Sequence, residues 1–213
     1  MFSLPKRQRS TTMKVKMNLF SLALIASMAV SCSQAQNKSI DTKENTQMNE
    51  TLKQTKTLIA YYSLSGNTRT LAGLIQQATG AELFEIQTVE AYPSDYEGVL
   101  ARGKEELNSH NYPKLKSNVD NLADYDVIFV GAPNWFSTIA PPLMAFLTSH
   151  DLSGKTVVPF VTHGTGGLAN CEKDVVKLTP NSKHLEAFHV AGKAVGDAQS
   201  NVHTWLRKIG LMK

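Results

Sequence analysis

The sequence has little cysteine, and two cysteines among 213 residues are too few for a disulfide-stapled scaffold. None of the six histidines lies in an H-E-x-x-H motif or beside a C-x-x-C pair, so no metal site is predicted. The sequence also lacks the G-x-S-x-G motif of esterases and the G-x-x-x-x-G-K-[ST] loop of nucleoside triphosphatases. Together these absences exclude several common classes of hydrolase.

An excess of acidic or basic residues is missing from most of the chain. The 22 Lys and Arg exceed the 18 Asp and Glu only because Lys6, Arg7, Arg9, Lys14 and Lys16 lie in residues 1–31, which contain no acid. The rest of the chain has 17 basic and 18 acidic residues. No basic surface for nucleic acid is therefore predicted.

The longest apolar run is too short to span a membrane. It covers the 12 residues 19–30, whereas a transmembrane helix needs about 20. Because Lys14 and Lys16 precede it, residues 1–31 are predicted to be an export signal. Residues 29–32, at the end of this run, finish with Cys32 and resemble the cleavage site of bacterial lipoproteins. We expect lipidation of Cys32 and an exported, membrane-anchored bacterial protein on the periplasmic or cell-surface side, with ordinary cleavage after Ala35 as the alternative.

The remaining sequence divides into a tether and one domain. Residues 32–56 are polar and are predicted to be a flexible tether. In residues 57–213, apolar runs at 57–62, 82–87, 125–130, 156–161 and 184–190 predict strands. Helical spacing of apolar residues predicts helices at 71–78, 95–107, 141–147, 167–178 and 202–209. The pattern indicates an α/β fold with a parallel sheet covered on both faces. Pro159 conflicts with a central strand because it lacks an N–H donor.

Three loops are predicted to carry the function, because ligands bind beyond the carboxyl ends of parallel strands. They follow Tyr62, Val130 and Val161. The first loop is rich in small polar residues: Ser63, Ser65, Gly66, Asn67 and Thr68. Its position at the start of a helix favours binding of a phosphate dianion. The alternative is that Ser65 or Asn67 only caps that helix.

The three loops resemble those of the small flavodoxin-like proteins. Residues 61–70 are similar to the phosphate loop of that family, residues 131–136 to its second flavin loop and residues 162–167 to its third. The resemblance covers the chain from residue 57 onwards. It implies a doubly wound five-stranded parallel sheet in the order 2-1-3-4-5, with helices on both faces, that binds FMN non-covalently.

The resemblance also assigns residues to the parts of FMN. It implies a phosphate site at Ser63, Ser65, Gly66, Asn67 and Thr68. One side of the isoalloxazine ring would lie against Pro133, Asn134, Trp135 and Phe136. The other side would lie against Thr162, His163, Gly164 and Gly167. Packing against the Pro141–Pro142 turn is the alternative for the two aromatic rings. His163 is the catalytic candidate, as a proton donor, and a solvated loop histidine is its alternative.

The sequence leaves the type of redox protein open. Flavodoxins are electron shuttles that usually carry strongly acidic surfaces, so the near-neutral charge here favours an oxidoreductase linked to NAD(P)H, a quinone or a similar acceptor. Export argues back toward a shuttle with a redox-protein partner or toward a membrane quinone, because nicotinamide is scarce outside the cytoplasm. An FMN-binding scaffold without turnover is a third possibility. Gly164, Gly166 and Ala169, with Glu186 further on, also match the dinucleotide-binding pattern.

Two further expectations concern single residues. In flavodoxins, the second flavin loop usually has a glycine that turns a backbone carbonyl toward the flavin, but no glycine lies between Pro133 and Ile139. Asn134 is the residue there that best tolerates a left-handed conformation. If Asn134 adopts it, a one-electron shuttle stays open, and if no carbonyl can turn, an oxidoreductase is favoured. Cys171 is expected to be a small buried apolar residue.

Overall fold

A computed structural model describes residues 55–212 of the chain. The predicted export signal, Cys32 and the predicted tether up to residue 54 lie outside the described residues. Within residues 55–212, no helix is both long enough and apolar enough to cross a membrane.

The described domain is built on one parallel sheet. Its strands are β1 (Thr57–Tyr61), β2 (Glu82–Glu85), β3 (Val127–Trp135), β4 (Thr138–Ile139), β5 (Thr156–His163), β6 (Lys183–His184) and β7 (Phe188–Ala191). The order is β2-β1-β3-β5, and β6 and β7 both pair in parallel with the outer side of β5. β4 only forms a short antiparallel hairpin with β3. Counting β6 and β7 as one interrupted strand gives the predicted order 2-1-3-4-5, so the predicted fold class is confirmed.

Five helices cover the sheet, and their ends follow the local sequence. They are α1 (Asn67–Thr79), α2 (Tyr96–Ser109), α3 (Pro141–Ser149), α4 (Cys171–Leu178) and α5 (Gln199–Lys208). Gly80 ends α1 in the left-handed conformation, with its N–H donating to Gln76. The carboxylate of Asp95 caps α2 by accepting from the Gly98 N–H at 2.7 Å. Pro141 and Pro142 open α3, where a missing N–H costs nothing.

Two apolar layers hold the helices to the two faces of the sheet. Alternate strand residues point to opposite faces, so Leu58 and Ala60 belong to one layer and Ile59 and Tyr61 to the other. The first layer is shared with α3 and α4, and the second with α1 and α5. The sheet is thus buried on both faces, and its carboxyl edge is left to form a site.

The structure resolves the conflict over Pro159. Val157 accepts from the Leu185 N–H, and by alternation Pro159 faces the same side, toward the fifth strand position. That position is interrupted between β6 and β7, so the missing N–H falls where no ladder bond is needed. In the interruption, the Ala187 N–H donates to a Glu172 carboxylate oxygen at 3.1 Å instead.

The start of the fourth helix differs from the prediction. A helix was expected from Gly167, but α4 begins at Cys171. Gly167 (φ 62°) and Ala169 (φ 46°) are both left-handed, which a right-handed helix does not allow. Cys171 is fully buried, as expected, and burial raises the pKa of its thiol to about 12. The thiol therefore stays protonated and is not a nucleophile at neutral pH.

Candidate functional site

Two adjoining clefts open at the carboxyl edge of the sheet. The smaller has a volume of about 410 Å³ and lies among the loops after β1, β3, β5 and β7. The larger, of about 840 Å³, extends from the same loops toward residues 92–100, which follow β2. Both clefts are bordered by Ser65, Asn134, Trp135 and Gly164. The prediction of three functional loops was therefore incomplete, because the loops after the two outer strand positions also reach the site.

The first loop leaves the start of α1 open. Gly66 has φ 92°, and no atom lies within 4 Å of where its side chain would be. No side chain caps the helix at this residue, and its first turn contains no acid. Ser63 Oγ accepts from the N–H of Arg69, the third residue of α1, at 3.2 Å, so one N–H of the first turn is already bonded. The alternative that Ser65 or Asn67 caps the helix is therefore wrong, and the remaining N–H groups at the positive end of α1 can face an anion.

A buried hydroxyl pair joins the first loop to the third. The side chains of Thr68 and Thr162 are 1% and 2% exposed, and their Oγ1 atoms lie 2.8 Å apart. On the other side of the loop, the carboxamide of Asn67 packs closely against Gly192, where an added side chain would overlap it. Its Nδ2 also donates to Ser65 Oγ at 3.3 Å. The loop is thus held in one conformation by its neighbours.

The second loop is a tight hairpin rather than an irregular loop. β3 continues through Asn134 and Trp135, which pair with β4, and the two-residue turn is Phe136–Ser137. Phe136 (φ 52°) and Ser137 (φ 68°) are both left-handed, as a hairpin turn of this length requires. Asn134, the residue expected to tolerate that conformation best, lies in β3 and is not left-handed. Its side chain instead donates to the Gly167 carbonyl at 2.9 Å and ties the second loop to the third.

Trp135 forms a wall between the clefts. Its ring lies edge-on to Tyr62 and Tyr92, with centroids 5.9 and 5.2 Å away, and it contacts both clefts. Gly103 of α2 lies behind it, where an added Cβ would approach the ring to 3.2 Å. The aromatic packing partners of Trp135 are therefore tyrosines, and its free surface faces the site.

A charged network behind the larger cleft holds Tyr92. The Tyr92 hydroxyl donates to one carboxylate oxygen of the buried Glu106, and Arg102 Nε donates to the other at 2.8 Å. Arg102 also donates to the Ala91 carbonyl at 2.9 Å and covers the Tyr92 ring at 4.2 Å. Burial, with Glu106 as a second cause, raises the pKa of Tyr92, so its hydroxyl stays a donor. The ring is therefore fixed at the cleft wall.

His163 borders the smaller cleft and pairs with a second histidine. Its Nε2 lies 3.2 Å from Nδ1 of His189, and its Nδ1 is buried without a hydrogen-bonding partner. Burial, together with His189, lowers the pKa of His163 below its usual range, so the ring is neutral at pH 7. If His163 acts as the predicted proton donor at pH 7, the donor is therefore a neutral imidazole and not an imidazolium. Within the described range, no cluster of three or more His, Cys, Asp or Glu is placed to hold a metal ion.

The structure brings most of the predicted site residues together. Those that line the smaller cleft are Ser65, Asn67, Pro133, Asn134, Trp135, Thr162, His163 and Gly164. Phe136 lines only the larger cleft, whereas Ser63, Gly66, Thr68 and Gly167 line neither and lie within the supporting loops. Sequence reasoning missed residues 92–100, Gly192 and Lys193. Only their position in the sequence could have indicated these residues, because each segment follows a predicted strand and so lies at the same edge of the sheet.

Comparisons with known proteins agree with this architecture. The family profile described as Flavodoxin matches residues 56–209. A flavoprotein structure from Bacteroides eggerthii is 31% identical with a TM-score of 0.62, covering 73% of this chain and 98% of its own. One from Bacteroides uniformis is 32% identical with a TM-score of 0.64, covering 72% and 98%. A flavoprotein from Lactobacillus acidophilus in complex with FMN is 23% identical with a TM-score of 0.58, covering 69% and 99%.

Proposed function

The chain belongs to the flavodoxin family, and on that basis we propose that the described domain binds FMN in the smaller cleft and works as a redox protein. The observation that carries the proposal is the start of α1, where Ser65 and Asn67, on either side of Gly66, line the same cleft as Trp135 and His163. A phosphate site and an aromatic wall thus lie at one edge of the sheet. FMN, when bound, supplies the electron-transfer chemistry that side chains lack.

The residues present fit the phosphate group of FMN. The N–H groups of the first turn of α1 have no carbonyl partners within the helix, and a dianion at this end is favoured by the helix dipole. Ser65 and Asn67 add polar side chains, and Lys193 adds a positive charge at the same cleft. Gly66 gives the phosphate room, because no atom lies within 4 Å of a Cβ at that position.

The residues also fit a flat ring beyond the phosphate. Trp135 presents its free surface to the cleft, and the hydrogen bond from Asn134 to the Gly167 carbonyl keeps the second and third loops at a fixed separation. His163 and Gly164 border the same cleft from the third loop.

We expect FMN to bind more tightly than either riboflavin or FAD. Riboflavin lacks the phosphate that the start of α1 favours, and FAD needs a second phosphate site and space for adenine. Isothermal titration of the protein with all three flavins checks this expectation. Tighter binding of FAD than of FMN would contradict it, as would equal binding of riboflavin.

The segment that matches a dinucleotide pattern does not have the geometry which that pattern needs. The pattern places its glycines directly at the start of a helix, so that the pyrophosphate sits on the helix end. Here Gly167 and Ala169 are left-handed and α4 begins only at Cys171. We therefore favour FMN over a dinucleotide held by residues 164–169.

We further propose an oxidoreductase linked to NAD(P)H or a quinone, rather than a shuttle alone. The larger cleft beside the proposed FMN site supports the quinone part of this role, because a shuttle that passes electrons to proteins needs no such space. Steady-state oxidation of NADH and NADPH, with and without 2,3-dimethyl-1,4-naphthoquinone, tests the proposal. We expect oxidation of at least one nucleotide to be faster with the quinone. Protein that reacts only with redox-protein partners would be a shuttle, and protein that reacts with none would be a scaffold.

We also propose that the domain is exported and held at a membrane by a lipidated Cys32. The support is the apolar run at residues 19–30, which ends two residues before that cysteine. A single acyl chain binds membranes only marginally, so firm anchoring requires more than one chain on this residue. A fatty-acid probe should label the wild type in its host and not Cys32→Ser, which should be released from the membrane fraction. Unlabelled wild-type protein would contradict the proposal.

A further inference from the structure

We propose that the larger cleft binds a neutral, planar aromatic molecule next to the flavin. This inference rests on the proposed function, since it takes the smaller cleft for FMN. The larger cleft has about 840 Å³ of space and extends from Trp135 to Tyr96 at the start of α2. Pockets of about 300 to 1,000 Å³ are typical of small-molecule sites.

Exposed apolar side chains are concentrated around this cleft. Leu64 is 45% exposed, Tyr96 72% and Phe136 45%, and all three line it. They come from three different elements, namely the first loop, α2 and the β3–β4 hairpin. Single exposed apolar residues are common, but several that converge on one concave surface indicate a binding site. An aromatic ligand would cover all three.

The inner wall of the cleft is already formed. Tyr92 is fixed by its hydrogen bond to the buried Glu106, and Trp135 lies edge-on to it at 5.2 Å. These two rings need little rearrangement to receive a flat ligand, so little of the binding free energy is lost in ordering them. Two fixed aromatic faces favour a planar ring over a flexible chain.

The charges at the cleft favour a neutral ligand. Among the described residues that line it, none is Lys, Arg or His, and Asp95 is the one charged side chain. Asp95 already accepts from the Gly98 N–H, and Asn134 already donates to the Gly167 carbonyl. An anion would thus meet a carboxylate and no cation, which disfavours the pyrophosphate of a nicotinamide dinucleotide in this cleft. Quinone-like and other uncharged ring systems match the lining.

Titration with 2,3-dimethyl-1,4-naphthoquinone tests the proposal without turnover. Both reactive ring carbons of this probe are blocked, so it does not alkylate thiols. Calorimetry should show one binding site for the probe, both in the protein loaded with oxidised FMN and in the protein without FMN. A negatively charged analogue, 3-methyl-1,4-naphthoquinone-2-sulfonate, should bind more weakly. Tyr96→Ala should weaken binding of the neutral probe about tenfold, since one aromatic contact is lost.

Two further variants provide a second test of the lining and a control. Phe136→Asn removes a second ring and places a residue that tolerates the left-handed turn, so it should fold and should also weaken the probe. Val176→Ala truncates an exposed apolar side chain of α4 that does not line the cleft and should change nothing. The affinity for FMN should be unchanged in Tyr96→Ala and in Val176→Ala.

Several results would overturn the inference. If Tyr96→Ala weakens FMN as much as the probe, the larger cleft belongs to the cofactor. If the sulfonate binds as tightly as the neutral probe, the argument from charge is wrong. If FMN binds and the neutral probe does not, the inference fails while the proposed function stands. Binding of the probe without any binding of FMN would overturn the proposed function and leave the cleft assignment supported.

Discussion

Replacing Gly131 with Ala is expected to destabilise the domain by about 3 kcal/mol or more, at the upper end of what overpacking a core costs. Gly131 lies in the centre of β3, directly opposite Phe160 of β5, and a Cβ on Gly131 would overlap the Phe160 ring. That ring is fully buried in the layer shared with α1 and α5, so it has no free space to move into. Urea unfolding of both proteins measures the change in the free energy of unfolding.

The chain offers a control with the same chemical change. Gly73 lies inside α1, and no atom lies within 4 Å of a Cβ there. Gly73→Ala should therefore stabilise the domain by about 0.5 to 1 kcal/mol through helix propensity. Adding Phe160→Leu to Gly131→Ala should cost less than the sum of the two single changes, because the shorter side chain makes room. Strict additivity would mean that the ring is not the obstacle.

Changing Ser65 to Asp should weaken FMN binding by a factor of 100 or more while leaving riboflavin unaffected. Ser65 borders both clefts beside the open start of α1, where the phosphate is proposed to bind. Two like charges about 4 Å apart near a protein surface repel by about 4 kcal/mol, which corresponds to roughly 1,000-fold in affinity. Titration of each variant with FMN and with riboflavin measures the effect.

Ser65→Asn is the matched control, since it has the same shape without the charge. It should bind FMN with an affinity close to that of the wild type. An acid near the start of a helix is itself stabilising, so the Asp variant should not lose FMN by unfolding. Thr68 is less suitable for this test, because its hydroxyl is buried against Thr162. An equal loss of FMN and riboflavin in Ser65→Asp would place the phosphate elsewhere.

The elements of the fold were largely predictable because their apolar periodicity is strong. The run at 57–62 and the spacing of Leu71, Leu74, Ile75 and Ala78 correspond to β1 and α1 within a few residues. Pro159 could not be placed from sequence, because its acceptability depends on an interruption in a strand that lies more than twenty residues further along the chain. The delayed start of α4 likewise depends on two left-handed residues, one of which is an alanine.

The site was predictable where it depends on loop chemistry and not where it depends on tertiary position. Small polar residues around Gly66 indicated an anion site before α1, and no side chain caps the helix at that residue. Nothing in the composition of residues 92–100 indicated that they would complete a cleft with Trp135. The left-handed turn at Phe136 and Ser137 was missed because neither residue prefers that conformation, and propensity identified only Asn134 as a residue that tolerates it.

That hairpin turn also limits how the chain can change. Each non-glycine residue in a left-handed conformation costs roughly 1 kcal/mol or more, so the domain gives up part of its stability at Phe136 and Ser137. An Asn-Gly pair at the same two positions would suit the turn better and would remove the ring from the larger cleft. Selection for thermal stability and selection for an aromatic ring at the larger cleft therefore act in opposite directions at this turn. A thermostable homologue that keeps the ring must recover the lost free energy elsewhere in the fold.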